Sequence, residues 1–159
     1  MFKHGCDLFW LISLRHYLHL AQYIRRNVSL LIVHTKGKFM SWNKSEAVSY
    51  ARTHAQAHTG HYCARAVAAA IRAGGVKIEG ANAKDFWRSL ENAGFVKVYG
   101  TPVAGDVAVI DALPGPGEYG HACIYDGAGT WYSDFRQNSL YPGPRYRKLQ
   151  PAVTLYRHY

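Results

Sequence analysis

Between residues 40 and 94 the apolar positions of this chain recur at helical spacing, and beyond residue 95 they gather into short runs separated by glycine and proline. A first helix is predicted over residues 44–57, ending near Thr59-Gly60, with Asn43 as its cap and Glu46 three residues later, as a capping box requires. A second covers residues 63–73 and stops at Gly74-Gly75. Nearly all of its positions are small or apolar, which suits a helix buried on most faces, with Arg65 and Arg72 on one exposed edge. A third covers residues 83–93, capped by Asn82 and stopped by Gly94, with Phe86, Leu90 and Ala93 on one face.

Five short strands are predicted after it, over residues 95–99, 107–110, 120–125, 130–135 and 153–159. Helices first and strands afterwards predict an α+β domain whose N-terminal helices pack on an antiparallel sheet of about five strands. The proline- and glycine-rich stretch 113–118, just before His121, reads as a rim loop.

The segment before residue 40 has a different character. Residues 8–33 mix large apolar side chains with basic ones in a loosely helical pattern, without the small-residue cleavage site of a signal peptide. Two expectations stand for residues 1–39: a basic extension that is upstream reading frame or removable, with Met40 as the true start, or an amphipathic helix that docks on a membrane or carrier. Residues 40–159 then form the functional domain. No run of about 18 uninterrupted apolar residues occurs, so stable membrane insertion is not expected.

Composition narrows the classes further. With 159 residues, 48% hydrophobic and 18% charged, the chain is large enough for one domain with a core and is no disordered tail. Its net charge of +9 points to an anionic partner, but residues 1–39 hold six basic residues against Asp7 alone, leaving +4 for the remainder. The cysteines, Cys6, Cys63 and Cys123, are too few for a disulfide framework, and their odd number leaves at least one thiol free.

Cys63 opens the second helix, where the helix N-terminus favours the thiolate form of a nucleophile. His121 lies on a strand and shares a face with Cys123 and Tyr125. A four-residue loop over 126–129 would pair Ile124 with Trp131 and His121 with Asp134, setting a carboxylate beside the imidazole. Cys63, His121 and Asp134 then fit the roles of nucleophile, general base and orienting acid in a thiol hydrolase, with the Cys63 backbone N–H toward the oxyanion. Such a site requires no metal or organic cofactor.

This order of residues resembles the NlpC-type and CHAP families of papain-like cysteine hydrolases. The resemblance rests on a cysteine opening a helix, on the segment Thr101-Pro102-Val103-Ala104-Gly105-Asp106 leading a hydrophobic strand, and on Gly120-His121-Ala122 leading another. Ser133-Asp134 is similar to the Ser-Glu pair of many CHAP members, whereas His61-Tyr62-Cys63-Ala64-Arg65 departs from the NlpC-type Asp-Cys-Ser-Gly. The resemblance covers residues 44–140 and implies cleavage of an amide bond in peptidoglycan peptides. It further implies Tyr50 as a helper tyrosine, and an effector injected by type VI secretion, active in the periplasm or wall of a target bacterium. An immunity protein that plugs the Cys63 cleft is the expected partner, and a phage-type lysin is the alternative.

Two rival readings use other residues. His54, His58 and His61, spaced four and three apart, suggest with Cys63 a zinc amidase. Tyr132, Tyr141, Tyr146, Tyr156 and Tyr159 with Arg145, Arg147 and Lys148 suggest a nucleic-acid-binding module, although no recognisable nucleic-acid motif is present.

Overall fold

The computed structural model describes residues 41–115 and 119–159; the expectations for residues 1–39 lie outside the described residues. Three helices come first. α1 (Lys44–His54) is capped by Asn43, whose side-chain oxygen accepts the Glu46 N–H at 3.0 Å. The Asn43 N–H donates to the Gly74 carbonyl, so a tertiary bond replaces the reciprocal arm of the predicted capping box. α1 stops three residues before the predicted end because Ala55 turns extended and the Gln56 N–H donates to the Asp134 carbonyl. α2 (Cys63–Ala73) follows the predicted bounds. The third predicted helix begins as a 3₁₀ turn (Ala83–Asp85) and continues as α3 (Phe86–Asn92), and Asn82 makes no side-chain cap.

The sheet has six strands, one more than predicted: β1 (Val96–Val98), β2 (Val107–Ile110), β3 (His121–Tyr125), β4 (Trp131–Tyr132), β5 (Arg136–Gln137) and β6 (Val153–Arg157). All its ladders are antiparallel, in the order β1-β6-β2-β3-β4-β5. The predicted strand over 130–135 divides into β4 and the segment leading to β5. A short helix, α4 (Pro144–Leu149), precedes β6 and was not predicted; it begins with proline at a first-turn position, where the missing N–H costs nothing.

The main core lies between the helices and one sheet face. It joins Val67, Ile71, Phe86 and Leu90 to Val107, Val109, Ala122 and Ile124. Period-2 alternation sends Ala108, Cys123 and Trp131 to a second cluster on the other face. The last strand is locked inside the sheet by charge. Asp106, 0% exposed, accepts two hydrogen bonds of 2.7 Å from Arg157 and one of 2.8 Å from the Val103 N–H. A bidentate guanidinium fork is the geometry that offsets burial of a carboxylate. Gly105 beside it has φ +89, and a Cβ there would lie 2.7 Å from that of Lys44, which explains the Gly-Asp pair that opens the strand.

Candidate active site

Cys63 is the first residue of α2, and no side chain of the residue before it caps the helix. The cap comes from far along the chain. Asp134, 5% exposed, accepts on Oδ2 the Gly60 N–H at 2.6 Å, the Thr59 hydroxyl at 3.1 Å and the Tyr62 N–H at 3.3 Å. These are groups of the loop that delivers the cysteine, where N–H groups have no helical acceptor. Burial by itself would raise the Asp134 pKa, but these donors together hold it below 3.8. Its Oδ1 is buried without a hydrogen-bond partner.

His121 opens β3. Gly120 before it has φ +73, and a Cβ would meet the Ile110 carbonyl oxygen at 2.5 Å, so the chain needs glycine to turn into the strand. The imidazole lies 6.2 Å from the Phe135 ring and 6.3 Å from the Tyr146 ring, between centroids. Its Nε2 is 2.8 Å from Gln137 Oε1. The Gln137 amide nitrogen donates to the Leu140 and Ser139 carbonyls at 3.3 and 3.4 Å, which turns its oxygen toward the ring. Facing an acceptor, His121 therefore carries its proton on Nε2 and keeps a lone pair on Nδ1.

Cys63 and His121 line one cleft of about 550 Å3, together with the aromatic rings of Tyr62, Tyr119, Phe135 and Tyr146. The Ala122 N–H points to the Cys63 sulfur, setting the thiol beside the start of β3. Burial raises the Cys63 pKa above 9.0, opposed in part by the N–H groups of Ala122 and Ala64. Burial also lowers the His121 pKa below 6.5, although Gln137 and the Asp134 charge pull it upward. The helix N-terminus was expected to favour the thiolate; desolvation opposes it, raising the thiol pKa and lowering that of the imidazole.

The predicted hairpin register differs by one residue. Ile124 pairs with Tyr132 and Tyr125 with Trp131, which removes the pairing of His121 with Asp134. The cause is Asp126, whose carboxylate accepts the Ala128 and Thr130 N–H groups at 2.7 and 3.0 Å. Thr130 is thereby drawn into the loop, and pairing resumes at Trp131. Asp134 is turned to the cysteine loop, and Gln137 of β5 takes the place beside the histidine.

Other residues singled out from the sequence disperse. Tyr50 stacks on His54, with centroids 3.8 Å apart, and is not part of the cleft wall. Cys123 is fully buried in the second cluster, and burial pushes its thiol well above 9.0. His61 reaches the cleft, but among the described residues no three His, Cys, Asp or Glu side chains cluster as a metal site. Tyr132 and Tyr156 are buried, Tyr141 donates its hydroxyl to the Pro151 carbonyl and Tyr146 lines the cleft, so the tyrosines form no continuous stacking surface. Of the expected rim loop, residues 116–118 lie outside the described residues; Tyr119, the residue after it, reaches the cleft.

Two residues of the site, Gln137 and Phe135, were not among the candidates from the sequence, and Tyr146 was a candidate there only for stacking on nucleic acid. The Gly143-Pro144 pair is a helix-start signal that would have placed Tyr146 on a short helix.

No family model matches the chain, and no curated protein matches it. Solved structures do. The chain is 40% identical to one in the type VI native effector-immunity complex Tae3-Tai3 from Ralstonia pickettii, with a TM-score of 0.68, covering 74% of this chain and 100% of that one. The chain belongs to the Tae3 family of type VI effectors. The selenomethionine form of the same Tae3-Tai3 complex matches at 42% identity and a TM-score of 0.64, covering 70% of this chain and 98% of that one. The α+β architecture predicted from the sequence, helices on an antiparallel sheet, is thus also the architecture of a Tae3 effector complex chain. Among the described residues no helix is long and apolar enough to cross a membrane.

Proposed function

We propose that this chain is a cysteine amidase or endopeptidase that cuts an amide bond in peptidoglycan peptides, delivered as an antibacterial effector by type VI secretion. The observation that carries the reading is the shared cleft of Cys63 and His121, with Gln137 fixing the histidine tautomer. Family membership in Tae3 supports delivery, and the Gly105-Asp106 and Gly120-His121 pairs support kinship with NlpC-type and CHAP hydrolases.

In the first step His121 Nδ1 takes the Cys63 proton as the sulfur attacks the scissile carbonyl, so no charge separates before the substrate arrives. The oxyanion is met by N–H groups at the start of α2, among them that of Cys63, which have no helical acceptor. Collapse of the tetrahedral intermediate breaks the C–N bond; His121 returns the proton to the leaving amine, and the acyl group stays on sulfur as a thioester. His121 then deprotonates water, which attacks the thioester, releases the carboxylate product and restores the thiol. Asp134 acts as a positioning residue, holding the loop that presents Cys63 and adding a negative charge that favours the imidazolium formed in each step.

An enzyme of this kind endangers its producer, and the Tae3-Tai3 neighbours are effector-immunity complexes. The corresponding partner here is an immunity protein that covers the Cys63 cleft. The test is digestion of purified peptidoglycan, with mass analysis of the released muropeptides. Wild type is expected to open one defined amide bond and Cys63→Ala none; equal digestion by both proteins would overturn the reading.

A further inference from the structure

The cleft wall beyond Cys63 carries cationic chemistry that the catalytic steps leave unused. Arg65 sits in the first turn of α2, where no acidic residue is present. A cation is disfavoured at the positive end of a helix, so this placement works against local stability unless an anion joins it. Its guanidinium lies 5.9 Å from the centroid of the Tyr62 ring and makes no ion pair with a described residue. Asn82 faces the same cleft, and its side chain gives up the cap that its position would allow. Next to the cleft a second depression of about 490 Å3 is lined by Arg65, Arg72, Gly80, Ala81 and Asn82. Arg72 donates one N–H to the Ile78 carbonyl at 2.9 Å, which holds its guanidinium in place.

Arg65, Ala81 and Asn82 belong to both hollows, so the two share a wall. Among the described residues, neither hollow is lined by Asp or Glu. Asp134 shares a different depression with Arg65, and its Oδ2 is committed to Thr59, Gly60 and Tyr62.

We propose that Arg65, Arg72 and Asn82 form a subsite for a free carboxylate of the peptide substrate, lying near the scissile amide. This rests on the reading of the chain as a peptide-cutting cysteine hydrolase. Two guanidinium groups and a carboxamide N–H supply the planar, multi-donor recognition that a carboxylate takes and a neutral carboxamide does not. Peptidoglycan stem peptides offer such carboxylates, and a carboxamide in the same position removes the charge while keeping the shape. The subsite would thus select substrates by the amidation state of the stem peptide.

The test uses two synthetic stem peptides that differ only in one carboxylate changed to carboxamide, assayed at each acidic position in turn. Wild type is expected to prefer one carboxylate form about 10- to 100-fold in kcat/KM, the range of a charge-assisted hydrogen-bond pair. Arg65→Gln should bring that ratio near one by weakening the carboxylate form, with Arg72→Gln and Asn82→Ala narrowing it less. A ratio that persists in Arg65→Gln, or equal loss on both peptides, overturns the proposal. The same pair titrated calorimetrically into Cys63→Ala protein separates this question from catalysis: a binding preference abolished by Arg65→Gln supports the subsite even where turnover is absent, and no preference refutes it. Arg65→Gln protein that keeps the carboxylate preference but no longer binds an immunity protein would assign the wall to that partner, against the proposal.

Discussion

The Nε2 of His121 meets the side-chain oxygen of Gln137 at 2.8 Å inside the protein, 16 residues away along the chain. Because the Gln137 amide nitrogen is engaged by the Leu140 and Ser139 carbonyls, the residue cannot turn over without giving up both bonds. It therefore selects the Nε2–H tautomer, and the proposed mechanism uses the Nδ1 lone pair left over to take the thiol proton. Gln137→Ala should leave KM nearly unchanged and lower kcat by about 100-fold, within the range by which positioned acid–base groups act. Gln137→Asn, with a shorter reach, should recover only part of the loss. Steady-state kinetics on a defined stem peptide would check both, and a Gln137→Ala enzyme with wild-type kcat would remove the residue from the mechanism.

The protonation states of the pair carry a pH signature. His121 must be neutral to accept the thiol proton, and burial places its pKa below 6.5. The acid limb of kcat/KM should then have its midpoint below pH 6.5. Cys63, with its pKa above 9.0, should be alkylated by iodoacetamide at a rate that climbs through pH 9. A plateau of fast alkylation between pH 6 and 8 would instead report a standing thiolate–imidazolium pair.

That Cys63 opens a helix and His121 a strand was legible in the sequence because each is fixed by a strong local signal. The helix containing the cysteine is bounded by Gly60 and by Gly74-Gly75, and Gly120 must precede the histidine for backbone reasons. The neighbour of the imidazole was not legible, because register depends on a loop. Asp126 folds five residues where four were counted, and that one-residue shift takes Asp134 out of register with His121, while Gln137 arrives on β5, which pairs with β4. β5 has two residues and α4 six, too short for any hydrophobic period to announce them. Their contributions, Gln137 and Tyr146, are tertiary facts.

The Asp106–Arg157 pair lends itself to a stability test. The ladder of Val107 with Tyr156 sets these two residues opposite each other, and β6 lies between β1 and β2. Arg157→Met would leave a fully buried carboxylate with the Val103 N–H as the remaining donor to its side chain among the described residues. Loss of one partner of such a pair costs about 3–5 kcal/mol. Urea denaturation should show that loss for Arg157→Met, and the Asp106→Asn, Arg157→Met double variant should recover part of it because the stranded charge is gone. A double variant less stable than the single one would contradict the account.

Asp134 ties activity and stability together in one pH window. Its carboxylate gathers three donors on Oδ2, and its folded pKa lies below the ordinary 3.8. A depressed carboxylate pKa contributes stability that is fully present above the unfolded value and is lost as pH falls through the folded one. Asp134→Ala strands the Gly60 and Tyr62 N–H groups and should cost about 3 kcal/mol at neutral pH, where charged hydrogen bonds weigh most. Asp134→Asn keeps one acceptor oxygen and should cost less. Measured by urea denaturation, the gap between wild type and Asp134→Asn should stay constant above about pH 5 and close as pH drops below 3.8. Because the same bonds hold the Cys63 loop, both variants should also lose kcat at pH 7, and their acid limb should move to lower pH because the Asp134 charge that raises the imidazole pKa is gone. A gap that widened toward low pH would mean that Asp134 is protonated in the folded protein and acts as a donor rather than as the acceptor that positions the nucleophile.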